Sequence, residues 1–185
     1  MKRLITLVLF LFTLSASAQE NLKFLDELRS YCGKSFAGTV TAGGQNGHGL
    51  TGEKLVISFL KCSDTQISIP FFAGENKSRT WIITLEEGML RLKHDHRTPE
   101  GTPDKITDYG GKASNAGSAT LQIFPADPTT CNLIPYACAN VWALKLENKQ
   151  LTYSLRRIGS DREITVVFDL SQAIDFKEIP WGWKE

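Results

Sequence analysis

Residues Val141 to Leu170 read VWALKLENKQLTYSLRRIGSDREITVVFDL, and their alternation decides the fold class. Trp142, Leu144 and Leu146 fall on one side of an extended chain, with Ala143, Lys145 and Glu147 on the other. Leu151, Tyr153 and Leu155 alternate with Thr152, Ser154 and Arg156. Ile164, Val166, Phe168 and Leu170 alternate with Thr165, Val167 and Asp169. Successive strand side chains point to opposite faces, so this pattern predicts three strands with one apolar and one mostly polar face. A barrel wall or a half-solvated sheet needs such strands.

Working outward, the same period-2 signal recurs upstream. It covers Phe36 to Val40, Leu55 to Leu60, Ile67 to Ile69, Trp81 to Leu85, Leu90 to His94 and Thr120 to Phe124. Gly-rich or polar turns separate these runs, as at Ala42 to Gly49 and Glu86-Glu87-Gly88. About nine short strands in succession, without intervening helices, predict an all-β antiparallel meander barrel or sandwich. A barrel also removes exposed sheet edges. Residues 20 to 31 have the helical period instead, with Leu22, Leu25 and Leu28 spaced for one stripe, Phe24 beside them, and Gly33 as a stop. The Pro- and Gly-rich stretch Thr98 to Ala119 breaks the strand rhythm and reads as a long loop, a place where function often sits.

Lys2-Arg3, an apolar run from Leu4 to Leu14 and Ser15-Ala16-Ser17-Ala18 have the three parts of a cleavable signal peptide, residues 1–18. The run is shorter than the ~20 residues a membrane span needs. Cleavage near Ala18 would leave residues 19–185, expected to form a single β-barrel domain in the periplasm or outside the cell. That part carries 19 basic and 20 acidic residues once Lys2 and Arg3 are removed. So even a balance gives no electrostatic drive toward nucleic acid or an anionic membrane surface. Four cysteines, Cys32, Cys62, Cys131 and Cys138, lie in it. In an oxidising compartment an even count reads as disulfides. Of three connectivities, Cys32–Cys62 and Cys131–Cys138 join sequence neighbours and are preferred. In a chain-entropy model they contribute about 3.7 and about 2.5 kcal/mol. The rival, a four-cysteine zinc site, lacks any C-x₂-C spacing.

The segment Leu90-Arg91-Leu92-Lys93-His94-Asp95-His96-Arg97 carries the most chemistry. Strand parity places Leu90, Leu92, His94 and His96 on the apolar face and Arg91, Lys93, Asp95 and Arg97 opposite. Two histidines on one strand face are half of a metal site, with His48, Asp104, Asp108 or Asp127 as possible third ligands. The competing reading has His94 and His96 hydrogen-bonding neighbouring acids and holding the long loop. Glu100, Asp104 and Asp108 could bind calcium or act as an acid–base pair, but Asp beside Gly and Pro first of all makes turns. No G-x-S-x-G context accompanies Asp161, Glu163 or Asp169. The Gly43 to Gly49 stretch lacks a P-loop Lys-Ser/Thr pair and reads as a hairpin turn. Trp81, Trp142, Tyr153 and Phe168 fall on apolar faces and either fill a core or line a cavity. Pro180-Trp181-Gly182-Trp183 either closes over an opening or packs on the outer wall.

A helix followed by eight or more meandering strands resembles the lipocalin/calycin superfamily of ligand-binding barrels. The lipocalin G-x-W has no counterpart in Phe36-Ala37-Gly38-Thr39-Val40. Leu90 to Arg97, Tyr109-Gly110-Gly111 and Phe124-Pro125-Ala126-Asp127 also look like a group of uncharacterised secreted bacterial proteins, a resemblance that implies export. Three functions are compatible with these features. The first is a non-enzymatic exported protein holding a small apolar or amphiphilic molecule. Its candidate binding set is Trp81, His94, His96, Arg97, Tyr109, Trp142 and Tyr153. The second is a metal carrier or metal-dependent enzyme built on His94 and His96. The third is an envelope interaction protein with a filled barrel. Only the second requires a cofactor.

Overall fold

The computed structural model describes residues 19–43, 49–115 and 117–184. Residues 1–18, where a signal peptide is expected, and His48 with the adjoining glycine-rich residues 44–47 lie outside the described residues. Helix α1 covers residues 19–29 and leads into the strands. Its buried stripe is Asn21, Phe24, Leu25 and Leu28, while Leu22 is exposed. At 100° per residue the i, i+3, i+4, i+7 set from Asn21 converges on one line, and Leu22 falls on its flank. Asn21 is held inside because its side-chain amide donates to the Gly88 carbonyl at 2.6 Å. Gly33 ends the segment at φ +79°, a conformation that favours glycine.

Among the described residues eleven strands come after it: β1 Ser35–Ala42, β2 Leu55–Ser58, β3 Lys61–Cys62, β4 Gln66–Ala73, β5 Asn76–Glu86, β6 Met89–His96, β7 Tyr109–Lys112, β8 Leu121–Pro125, β9 Asn140–Glu147, β10 Gln150–Arg157 and β11 Glu163–Asp169. Hydrogen bonding runs in the order β7-β6-β5-β4-β2-β1-β11-β10-β9-β8, with β3 paired to β4 alone. Every pairing is antiparallel. The first and last strands thus meet through β1 and β11, and the seam lies between β7 and β8. It is nearly closed. The Asp127 amide donates to the Gly110 carbonyl at 2.9 Å. The Thr130 hydroxyl donates to the same carbonyl at 2.8 Å and accepts from the Gly110 amide at 2.7 Å. A Cβ on Gly111 would collide with the Pro125 carbonyl oxygen, so the seam needs glycine there.

The count exceeds the nine strands that periodicity predicts. β3 is two residues long, and β7 sits inside the predicted long loop. Tyr109-Gly110-Gly111-Lys112 has no apolar alternation because glycines occupy its centre. A short helix α2, Pro128–Leu133, and a 3₁₀ turn, Pro135–Ala137, are further additions, each too short to show a helical period. Asp127 caps α2, accepting from the Thr130 amide at 2.8 Å, with Pro128 at the first helical position.

Both preferred disulfides are present: Cys32–Cys62 ties the end of α1 to β3, and Cys131–Cys138 spans α2 and the 3₁₀ turn. The face assignments hold: Trp142, Leu144, Leu146, Leu151, Tyr153, Leu155, Ile164, Val166 and Phe168 are all buried. Beneath α1 the interior is packed, with Phe24, Leu25 and Leu28 joining Phe36 and Phe59 in the core cluster. The C-terminal segment lies along the outer wall. Phe176 packs on Phe72, the Trp181 amide donates to Lys77, and Lys61 sits over the Trp183 ring. Among the described residues no helix is long and apolar enough to cross a membrane.

Closure through Gly111 is testable. Gly111→Ala forces β7 and β8 apart and should lower stability by about 1–3 kcal/mol, the usual cost of overpacking. Urea unfolding checks it, and an unchanged midpoint would mean the seam is not tight.

Candidate functional site

The barrel end away from α1 is not filled. A cavity of about 240 Å³ opens there, walled by β4, β5, β6, β7, β9, β10 and β11 and roofed by Ile106, Ile134, Tyr136 and Ala137. Two devices position that roof. The Cys131–Cys138 disulfide and the cap of α2 fix residues 134–137. Asp127 in turn pairs with Lys93 at 2.8 Å, and Lys93 also donates to the Asp108 carbonyl at 3.1 Å. Burial raises the Asp127 carboxyl's pKa, but bonds from Lys93 and Thr130 outweigh it and hold the group below the ordinary range.

Ladder register brings the site residues together. Trp81 stands opposite His94, Arg79 opposite His96, and His94 opposite Tyr109. On the facing wall Leu155 stands opposite Trp142 and Tyr153 opposite Leu144. Six of the seven candidate binding residues therefore line one cavity: Trp81, His94, His96, Tyr109, Trp142 and Tyr153. Arg97 does not. Parity turns it to the outer face, where its guanidinium pairs with Asp95 at 2.9 Å. Sequence reasoning misses Arg79, Arg157 and Arg162, which also line the cavity. Each lies two residues from an inward apolar side chain, namely Trp81, Leu155 and Ile164, so parity is the signal that finds them.

The histidines sit in a satisfied polar network. His94 is 4% exposed. Its Nδ1 lies 3.2 Å from the Tyr109 carbonyl and its Nε2 lies 3.0 Å from the Tyr153 hydroxyl. A carbonyl only accepts, so Nδ1 carries the proton and Tyr153 donates to Nε2. The Trp142 ring lies against the imidazole, with centroids 5.2 Å apart. The imidazole also stacks on the Tyr109 ring, with centroids 4.9 Å apart and planes within 9°. His96 Nε2 meets the Tyr109 hydroxyl at 3.0 Å. Burial, reinforced by the His96 charge, pulls the His94 pKa down to about 3. Burial and then the Arg79 charge pull His96 to about 4, against Asp104 and Asp95. Burial pushes Tyr109 up to about 12 and raises Tyr153 as well. At neutral pH these four groups are uncharged.

This arrangement corrects the anchoring reading in one respect. The partners of His94 and His96 are tyrosines and a carbonyl, not acids. The strand does hold the loop: the His96 amide donates to Thr107 Oγ1 at 2.7 Å, and the Asp104 and Asp108 amides donate to the His96 and His94 carbonyls at 2.9 and 2.8 Å. Asp108 takes φ +56°, a turn conformation in which Asp is common. Among the described residues no group of three or more His, Cys, Asp or Glu is placed to hold a metal. Both ring nitrogens of His94 are already engaged, and Asp127 is committed to Lys93 and α2. His48 lies outside the described residues.

No protein-family model matches the chain, and neither curated proteins nor solved structures give a match. The geometry alone supports a nearly closed, antiparallel, calycin-like barrel.

Proton linkage and metal titration both test this site. Both histidines have folded pKa values below the unfolded value of about 6.5, so the unfolded chain binds more protons below that pH. Stability should be full above about pH 6.5 and fall by up to ~1.4 kcal/mol per pH unit for each histidine as pH drops toward 5. Urea midpoints measured between pH 7.5 and 5 check this, and a flat profile would contradict it. Calorimetric titration with Zn²⁺ should show the same heats for wild type and His94→Ala. A loss of binding in the variant would restore His94 as a ligand.

Proposed function

We propose that this chain is an exported, non-enzymatic binding protein that holds a small apolar or amphiphilic molecule inside its barrel. The observation that carries this is the cavity of about 240 Å³, ringed by Phe71, Trp81, Trp142 and Tyr153 and open at one barrel end. Binding sites for small molecules are concave and mostly apolar, with few polar groups. A cavity of about 150 Å³ already accepts benzene, so this one suits a guest of one or two rings and is too small for a long acyl chain. The preformed wall lowers the ordering cost of binding. Two disulfides fit a protein that works in an oxidising compartment, and the segment at residues 1–18 supports export. In this reading residues 19–185 form one exported domain.

The test uses tryptophan emission. Trp81 and Trp142 are 1% exposed, so replacing Trp181 and Trp183 with Phe leaves a signal from the interior alone. An uncharged naphthalene derivative, 2-naphthamide, should quench that emission saturably and raise the melting temperature. If saturating probe changes neither, the carrier reading fails and the cavity is a packing defect.

A further inference from the structure

Resting on that reading, we propose that the guest is a monoanion, an aromatic or compact apolar carboxylate whose head docks on Arg79. Arg79 is on β5, two residues closer to the open end than Trp81, and lines the cavity. Its Nη1 is buried and has no hydrogen-bond partner among the described residues. No carboxylate there forms an ion pair with it, whereas Lys93, Lys112 and Arg97 all have one. Its cross-strand neighbours are His96 and Phe71, neither of which offers a negative charge. Among the described residues no Asp or Glu lines the cavity at all.

Arg79 is half-buried, and even partial burial of a guanidinium without a counter-charge is costly, since the group stays protonated in proteins. The polar groups around it cannot supply the missing charge. His94, His96, Tyr109 and Tyr153 are neutral and bonded to one another. A carboxylate matches the planar fork of arginine with two parallel hydrogen bonds. One carboxylate fills the fork of Arg79, while Arg157 is engaged by Asn140 and the Tyr136 ring. Nearer the mouth, Arg157 is bonded to Asn140 at 2.9 Å and stacked over the Tyr136 ring, with its centre 5.2 Å from the ring centroid. Its side-chain partners are thus uncharged, and it adds positive potential where a guest enters. The apolar body of the guest would then lie against Phe71, Trp81 and Trp142.

The experiment compares 2-naphthoate with its neutral isostere 2-naphthamide, by calorimetry and by interior tryptophan emission, on the disulfide-bonded protein. Wild type should bind the carboxylate at least ~10-fold more tightly, the scale of a charge-assisted hydrogen-bonded pair. Arg79→Gln should abolish that preference while leaving naphthamide affinity within about twofold, and Arg79→Lys should restore only part of it. Equal affinity of wild type for both probes, with both quenching the interior emission, would overturn the carboxylate inference and leave the carrier reading standing. Binding of neither would overturn both. The wild-type comparison decides the matter even if Arg79→Gln fails to fold. Tighter binding of phenyl phosphate than of benzoate would overturn the monoanion assignment.

Discussion

A neutral imidazole held between the Tyr153 hydroxyl and the Tyr109 carbonyl governs the chemistry of the barrel interior. A polar group removed from water must find a partner or weaken the fold by about 1–3 kcal/mol. His94 meets that demand on both nitrogens and thereby orients three neighbours. Tyr153 must point its hydroxyl proton at Nε2. Tyr109 must bring its carbonyl to Nδ1, which draws β7 onto β6. The Trp142 ring packs against the imidazole. With these groups neutral and matched, the buried Nη1 of Arg79 is left without a partner among the described residues.

The same demand shapes the seam. A carbonyl at Gly110 that faced no strand would be unsatisfied inside the wall. The Asp127 amide and the Thr130 hydroxyl supply its two donors, so the start of α2 serves in place of a strand ladder. Closure therefore depends on three local features acting together: glycines that admit a close approach, an Asp-Pro pair that starts a helix, and a disulfide that fixes the 3₁₀ turn beyond it. That assembly also roofs the cavity, so barrel closure and site construction are one event. At the other end α1 fills the interior with Phe24, Leu25 and Leu28. The cavity lies at the end where His96, Arg79 and Arg157 sit.

Much of this was legible in the sequence because strand alternation is a strict code. The inward faces of β9, β10 and β11 come directly from Trp142 to Phe168 read in twos, as does the common face of His94 and His96. Cysteine neighbours in sequence proved to be bonded pairs. Other features left no such trace. β7 is a strand made by its partner, since Tyr109-Gly110-Gly111-Lys112 has no apolar period of its own. Leu22 looks interchangeable with Leu25 until helical geometry places it on the flank. Arg97 attracts notice through its neighbours, although parity already puts it outside. Arg79, two residues from Trp81, is inside by the same rule. A charge at an inward position is easily passed over because composition suggests that it belongs in water.

The central claim is that the interior polar groups are neutral and mutually bonded, with His94 as their hub. ¹⁵N NMR of the imidazole rings, recorded from pH 8 to pH 5, tests it most directly. The account predicts that His94 stays in the Nδ1–H form, with an unprotonated Nε2, and does not titrate across that range. Protonation of His94 with a midpoint near 6.5, or the opposite tautomer, would contradict it.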